Sequence, residues 1–313
     1  MDTVVFGRTG MEVGVAGLGC GGHSRLGQSY GATREESVDL VRHAIDLGVN
    51  YVDTAQAYGT EEIVGEAVRD LRGDVVLSSK ASPRGPGGGL LDAAGLRAAV
   101  ERSLAALDTD WVDVYHLHGV GDEEYDYCVG ELVPELERRR DAGAIRHIGI
   151  SERFGGDPGH AMLQRAVRDD CWDVMMVGFN VLNPSARDRV LTATRDEDVA
   201  VEVMFAVRRA LSRGDELARV VQQLAAEGRV DAGDLDLDEP LEFLVHDAGA
   251  ASVVEAAYRF ARHEPGCHVV LTGTGSVEHL EENVQSICGP PLPEDDLARL
   301  RNLFGHLDHL SGN

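Results

Sequence analysis

Of the 29 basic side chains in this chain, 28 are arginine and one, Lys80, is lysine. Arginine keeps its proton at any accessible pH and spreads its charge over a wide planar fork. An ammonium is a compact charge that can sit beside a phenol and tune it. A site that demands lysine chemistry leaves this signature, and so does a composition that has drifted toward arginine. The side chains able to use such a charge stand at equivalent places along the sequence. Asp53 and Lys80 lie at the ends of short β-rich runs, His118 follows another, and Tyr58 comes shortly after Asp53. A phenol has a reference pKa of about 10, and a neighbouring ammonium favours the phenolate and lowers that value. A carboxylate such as Asp53 keeps the ammonium charged against desolvation. An imidazole donates to a carbonyl oxygen or relays a proton to the phenol. These four types make a set for protonating a carbonyl.

Such residues meet only if the fold brings strand ends together. After a hairpin expected over Thr3 to Val13, with Arg8-Thr9-Gly10 at its turn, eight β-rich runs follow: Val13–Leu18, Asn50–Thr54, Val75–Ser79, Trp111–Leu117, Arg146–Ile150, Asp173–Phe179, Val199–Phe205 and His268–Leu271. Each precedes a stretch with apolar residues at helical spacing: Glu35–Leu47, Glu61–Leu71, Asp92–Leu107, Gly130–Ala142, Gly159–Val167, Ser185–Thr194, Ala251–Ala261 and Val277–Ser286. Strict βα alternation over eight units predicts an α/β chain folded as a (β/α)8 TIM barrel, one domain over residues 1–313. In such barrels the catalytic groups sit at the C-terminal ends of the strands, which is where the four residues fall. Gly17-Leu18-Gly19-Cys20-Gly21-Gly22 comes near a dinucleotide fingerprint but lacks the acid about 20 residues on, and it reads as a βα loop over a ligand. Gly85 to Gly89 reads as a flexible loop on the same face, a lid or slack. The segment Arg208 to Ala250 is a long insertion after the seventh strand, with a helical piece at Glu216–Ala226 and a solvated acidic run from Asp231 to Glu239.

Composition excludes several partners. The 54 acidic against 29 basic side chains give a net charge of −25, which repels nucleic acid and anionic membranes, and the only basic run is Arg138-Arg139-Arg140. No apolar stretch approaches the roughly 18 residues of a spanning helix, and the Met1 end lacks a basic segment followed by an apolar one, so a cytoplasmic location is expected. Five scattered cysteines without a C-x-x-C pair encode neither a disulfide framework nor a zinc knuckle. His116 and His118 share a face of one strand, but no third ligand at plausible spacing supports a metal, and none is expected. Met175-Met176 and Met204-Phe205 read as barrel packing or pocket lining, and Asp169-Asp170 and Asp295-Asp296 as helix N-terminal charges or solvated surface.

The stretch Gly48-Val49-Asn50-Tyr51-Val52-Asp53-Thr54-Ala55-Gln56-Ala57-Tyr58-Gly59, with Glu62, Val64 and Gly65, resembles the signature of the aldo-keto reductases. So do Ser79-Lys80, Val112-Asp113-Val114-Tyr115-His116-Leu117-His118, Ile145-Arg146-His147-Ile148-Gly149-Ile150-Ser151 and Leu280-Glu281-Glu282-Asn283, in order and spacing. The resemblance implies a (β/α)8 barrel, a NADP cofactor (NAD possible) bound without a Rossmann domain, and Asp53, Tyr58, Lys80 and His118 as a catalytic tetrad with Tyr58 as acid. It implies that Gly273, Thr274, Gly275 and Ser276, with His279, Glu282 and Asn283, cradle the adenosine end of the cofactor. Glycine amides and a helix start suit a phosphate. The chain departs from the family's pattern at the nicotinamide. Ser151 is followed by Glu152 rather than asparagine, Met176 replaces a glutamine, and Met204 with Phe205 stands where an aromatic is usual; Asn180 and Phe205 are candidates to compensate. An arginine usual near the 2′-phosphate is missing beside Gly275-Ser276. The expected activity is reduction of an aldehyde, ketone or aldose, or the reverse on a sugar. The alternatives are a nucleotide-binding regulatory barrel with little turnover, as the family's potassium-channel beta subunits are, and a barrel enzyme using the tetrad for non-redox acid/base chemistry.

Overall fold

The computed structural model describes residues 1–312, and of Asp234 the backbone alone. The chain opens with an antiparallel pair, β1 (Thr3–Val5) and β2 (Glu12–Gly14). Eight parallel strands follow: β3 (Ala16–Gly19), β4 (Tyr51–Asp53), β5 (Val76–Ala81), β6 (Val112–Val120), β7 (Ile145–Glu152), β8 (Val174–Gly178), β9 (Ala200–Met204) and β10 (Val269–Thr272). They close into a barrel in sequence order, with β10 pairing β3. This is the (β/α)8 architecture expected from the alternation.

The helices form where local chemistry starts them. Thr33 and Glu36 make a reciprocal capping box at Arg34–Asp46, whose Val38, Val41 and Ala44 turn inward at helical spacing. Asp92 caps Ala93–Leu107 and Ser276 caps Val277–Ile287 through their side chains. The hairpin plugs the lower end of the barrel, where Phe6 and Val13 pack with Tyr51, Val114, Val174, Ala200 and Val269 from the strand starts.

Several boundaries differ from the sequence reading. Val13 and Gly14 belong to the hairpin, so the first barrel strand starts at Ala16. A 3-10 turn at Gly7–Thr9, rather than a tight turn, joins the hairpin strands. The expected helix from Gly130 begins as a π-turn, Cys128–Leu132, and becomes α-helical at Val133–Asp141. A helix beyond the eight βα units, Glu294–Phe304, carries Asp295 and Asp296 in its first turn, which is the helix-start reading of that pair, and there they favour the helix dipole. Asp169 instead accepts from the Tyr125 hydroxyl at 2.5 Å, and Asp170 pairs with Arg8. The insertion after β9 packs onto the barrel: Gly214–Ala226 is helical, and Leu235 of the acidic run, with Leu241 and Leu244 just beyond it, is buried. The Gly85 loop is a closed turn, with Gly85 N–H donating to Gly89 O at 2.9 Å.

Candidate active site

Alternation along the strands stacks inward-facing side chains in layers above the plug. Asp53 ends β4, Ser78 and Lys80 lie two apart on β5, and His116 and His118 two apart on β6. The register sets Asp53 beside Ser78 and Lys80 beside His116. Asp53 and Lys80 are buried and form an ion pair through Asp53 Oδ1, which also accepts from Ser78 Oγ at 2.9 Å.

Tyr58 reaches the same place from a short loop. Beyond Asp53 the chain makes a 3-10 turn, Gln56–Tyr58, closed by Gly59 at φ 68°, a left-handed conformation that glycine adopts at little cost. A 2.9 Å contact between the Thr54 and Thr60 hydroxyls ties the loop's ends, and Arg25 Nε donates to Tyr58 O at 2.7 Å. The phenol lies edge-on to His118, with Tyr58 Oη 3.5 Å from His118 Nε2. Lys80 Nζ stands 5.3 Å from the centre of the Tyr58 ring. The four residues expected to meet are therefore together at the mouth of the barrel.

Electrostatics assign their protonation. Burial is the largest influence on Lys80 and opposes its charge, but Asp53, Tyr58 and Glu202 together outweigh it, so Lys80 is held as ammonium well above its ordinary range. Burial pushes Asp53 up, and Lys80 pulls it back. Tyr58 is raised: Lys80 draws its pKa down as anticipated, yet burial prevails. The phenol thus keeps its proton and is available as a donor. Burial first, then Lys80 and His116, drive His118 down to about 3, so its imidazole is neutral throughout the physiological range.

Two of the glycines read as a ligand loop have packing reasons: a Cβ at Gly17 would collide with Val269 and Leu271, and one at Gly21 with Tyr58. Gly17 and Gly19 lie in β3 itself, and Gly21 faces the Tyr58 ring, where a Cβ would stand 2.5 Å from a ring carbon. No ordinary contact is that short.

The residues expected at the nicotinamide are mostly committed elsewhere. Ser151 Oγ accepts from Gly119 N–H at 2.8 Å, which leaves its own proton free to donate. Glu152 is held by partners within the chain. Its carboxylate accepts from His160 Nδ1 at 2.9 Å and from Gly178 N–H at 2.7 Å, all in a buried setting. Asn180 is engaged in a turn, accepting from Leu182 and Asn183 N–H and donating one amide N–H to Phe205 O. Met176 is buried, whereas Met204 and Phe205 are half-buried. Phe154, which the sequence reading missed, lies against Gly178 and stacks on both His160 and Phe205; its only signal was an aromatic in a glycine-rich loop after β7.

At the opposite seam, Gly273 to Ser276 join β10 to the helix Val277–Ile287. Thr274 Oγ1 accepts from Ser276 N–H and Ser276 Oγ from His279 N–H, leaving the amides of Val277 and Glu278 as donors at the helix start. His279 and Glu282 are exposed, while Asn283 Nδ2 donates to Thr272 Oγ1 at 2.9 Å. Gly275 approaches the backbone of Gly27 so closely that a Cβ would lie 2.4 Å from Gly27 Cα. That contact, besides any ligand, accounts for glycine there. Free amides at a helix start fit a phosphate, so this end suits a dinucleotide, whereas the other end lacks the usual amide partners.

A family model described as the aldo/keto reductase family matches residues 18–304. The chain is 26% identical over 305 residues to the oxidoreductase YqkF of Bacillus subtilis, covering 95% of this chain and 94% of that protein. The holo form of an aldo-keto reductase from Bacillus halodurans shares the fold, with TM-score 0.72 at 23% identity over 96% of this chain and 95% of that one. An aldo/keto reductase from Klebsiella pneumoniae, solved in complex with NADP and acetate, matches with TM-score 0.67 at 25% identity over 96% of this chain and 95% of that one. Barrel topology, the grouping of Asp53, Tyr58, Lys80 and His118, and a family match across most of the sequence lead to one conclusion: the chain belongs to the aldo/keto reductase family of barrel oxidoreductases.

Proposed function

We propose that this chain, acting as one barrel unit in the cytoplasm, reduces a small-molecule aldehyde, ketone or aldose with NADPH, or runs the reverse reaction on a sugar. The carrying observation is the contact sequence Asp53–Lys80–Tyr58–His118, which leaves a protonated phenol beside an ammonium and a neutral imidazole. When bound, the cofactor supplies or accepts the hydride. This chain's own residues do the rest. The Tyr58 hydroxyl gives its proton to the carbonyl oxygen, His118 orients that oxygen, and the ammonium stabilises the phenolate left behind. Asp53 keeps Lys80 charged. At the phosphate end Thr274, Ser276 and the amides of Val277 and Glu278 hold the cofactor, with His279 beside them. At the ring end Ser151 would hold the carboxamide through its free hydroxyl proton, with Met204 and Phe205 lining that side. The absence of a membrane-length apolar helix among the described residues agrees with a protein that works in solution.

Absorbance of reduced nicotinamide, followed while a panel of aldehydes and aldoses is mixed with NADPH and the protein, tests this reading. Tight cofactor binding by fluorescence titration with no oxidation across the panel would favour the regulatory barrel instead. No binding at all would favour non-redox acid/base chemistry.

Two substitutions follow from the pocket. Gly21→Ala drives a methyl group into the Tyr58 ring, and a displacement on the order of 1 Å at a proton donor costs about 100-fold in rate. Steady-state kinetics are expected to show that loss in kcat with cofactor affinity kept; unchanged kcat would mean that the loop gives way without moving the phenol. Met176→Gln offers a donor and acceptor where a thioether has neither strongly. It is expected to tighten NADPH up to about tenfold, equivalent to about 1.4 kcal/mol, in a calorimetric titration, and unchanged affinity would place Met176 outside the ring's surroundings.

A further inference from the structure

Directly beneath the four site residues lies a second set of buried polar groups for which the reaction has no stated use. His116 on β6 and Glu202 on β9 are both fully buried, with His116 Nε2 2.7 Å from Glu202 Oε1. On its other side, His116 Nδ1 is 3.3 Å from Ser78 Oγ, and Ser78 in turn donates to Asp53 Oδ1. Room for the imidazole is made by Gly149 on β7, where a Cβ would fall 2.3 Å from the ring. Barrel interiors are ordinarily filled with branched apolar side chains, and a buried carboxylate costs several kcal/mol unless paired. A polar layer here therefore needs a compensating arrangement.

Counting protons gives one. A serine hydroxyl has a single proton, and in Ser78 it goes to Asp53; the contact with His116 must then use an Nδ1–H donated to Ser78 Oγ. Nε2 stands 2.7 Å from Glu202 Oε1 in an ion-pair contact whose N–H is not aimed along a hydrogen-bond line, and a second ring proton is what makes so close an approach to an ionised carboxylate favourable. The groups facing His116 are Asp53 and Tyr51 from β4, Ser78 and Lys80 from β5, His118 from its own strand and Glu202 from β9. Two carboxylates against one ammonium leave this layer one charge short of neutrality, and an imidazolium restores it. The ligand-type atoms of Asp53, His116 and Glu202 lie within 4.8 Å of one another. Asp53 already faces an ammonium, however, and His116 and Glu202 are in direct ion-pair contact with no gap between them, so the cluster takes a proton rather than a metal cation.

We propose that Glu202 and His116 form a buried carboxylate–imidazolium pair that, through Ser78, fixes Asp53 against Lys80, making Glu202, His116 and Ser78 positioning residues for the proton donor Tyr58. The proposal rests on the reading of Tyr58 as the acid. The carboxylate's side of the pair is in keeping: burial raises Glu202, but His116, Lys80 and Tyr51 together outweigh it and hold it below its ordinary range.

The test begins without cofactor. Long-range proton–nitrogen spectra of protein carrying labelled histidine, assigned with His116→Gln, are expected to show protons on both Nδ1 and Nε2 of His116 at about pH 8, with a single ring proton on His118. A His116 ring carrying a single proton at that pH overturns the pair. In kinetics, Glu202→Gln and Ser78→Ala are each expected to lower kcat about 10- to 100-fold while the Kd for NADPH stays within about threefold, because the geometry at Tyr58 is loosened and the cofactor's anchors are untouched. Full kcat in both variants overturns the positioning role. Should Glu202→Gln fail to fold, Ser78→Ala, which removes one hydroxyl, decides. The reading of Tyr58 fails separately: Tyr58→Phe that still turns over refutes the acid assignment whatever the His116 spectrum shows.

Discussion

Tyr58→Phe is expected to lower kcat by about 1,000-fold or more while changing cofactor affinity less than twofold, since general acid catalysis contributes about 10²- to 10⁴-fold and the substitution removes one hydroxyl. The structure sharpens the reason. Burial raises the phenol's pKa against the pull of Lys80, so at neutral pH the group is a loaded donor, and His118 is neutral and too weak an acid to replace it. His118 Nε2 lies 3.5 Å from the hydroxyl. Phenylalanine keeps the edge-on packing of the ring and deletes only the proton source. Single-turnover measurements with reduced cofactor would check this; a burst of normal amplitude and rate would mean that protonation comes from water or another side chain.

The second large effect is expected at Lys80, where arginine should be as damaging as methionine. Lys80 is fully buried and its ammonium is enclosed between Asp53 and the Tyr58 ring. Methionine leaves Asp53 an uncompensated buried charge, a loss of about 3–5 kcal/mol in stability. Arginine keeps the charge but inserts a planar fork into a space built for a point, and overpacking of this kind costs about 1–3 kcal/mol. Both variants should lose kcat by at least about 100-fold, with the methionine variant melting lower. An arginine variant with near-normal kcat would show that the site needs a cation and not an ammonium.

The parts of this protein that were legible from its residues are those written locally. The order of strands and helices follows from apolar periodicity, and Asp53, Tyr58, Lys80 and His118 are legible because each stands at or just past a strand end. Two kinds of feature were not. The extent of helix Glu294–Phe304 escaped because it follows the last barrel unit, where alternation no longer predicts anything. The roles of Glu152, Asn180 and Gly275 depend on partners distant in sequence or on the path of a neighbouring loop: His160 and Gly178 for the first, a tight turn for the second, Gly27 for the third. Glu202 did leave a trace, an acid two positions before Met204 in an otherwise apolar strand, and its meaning required seeing His116 across the barrel.

The seclusion of Lys80 also makes it a reporter. Because this is the only lysine and it is fully buried, reagents that acylate side-chain amines find no target on the folded surface. Lys80 becomes reactive only while the barrel opens around it, so its labelling rate follows the population of open molecules when closing is fast relative to acylation. Ligands that brace the mouth of the barrel would slow that labelling in proportion to their binding. A single mass shift on one peptide would therefore read both the integrity of the catalytic end and its occupancy, with no background from other lysines.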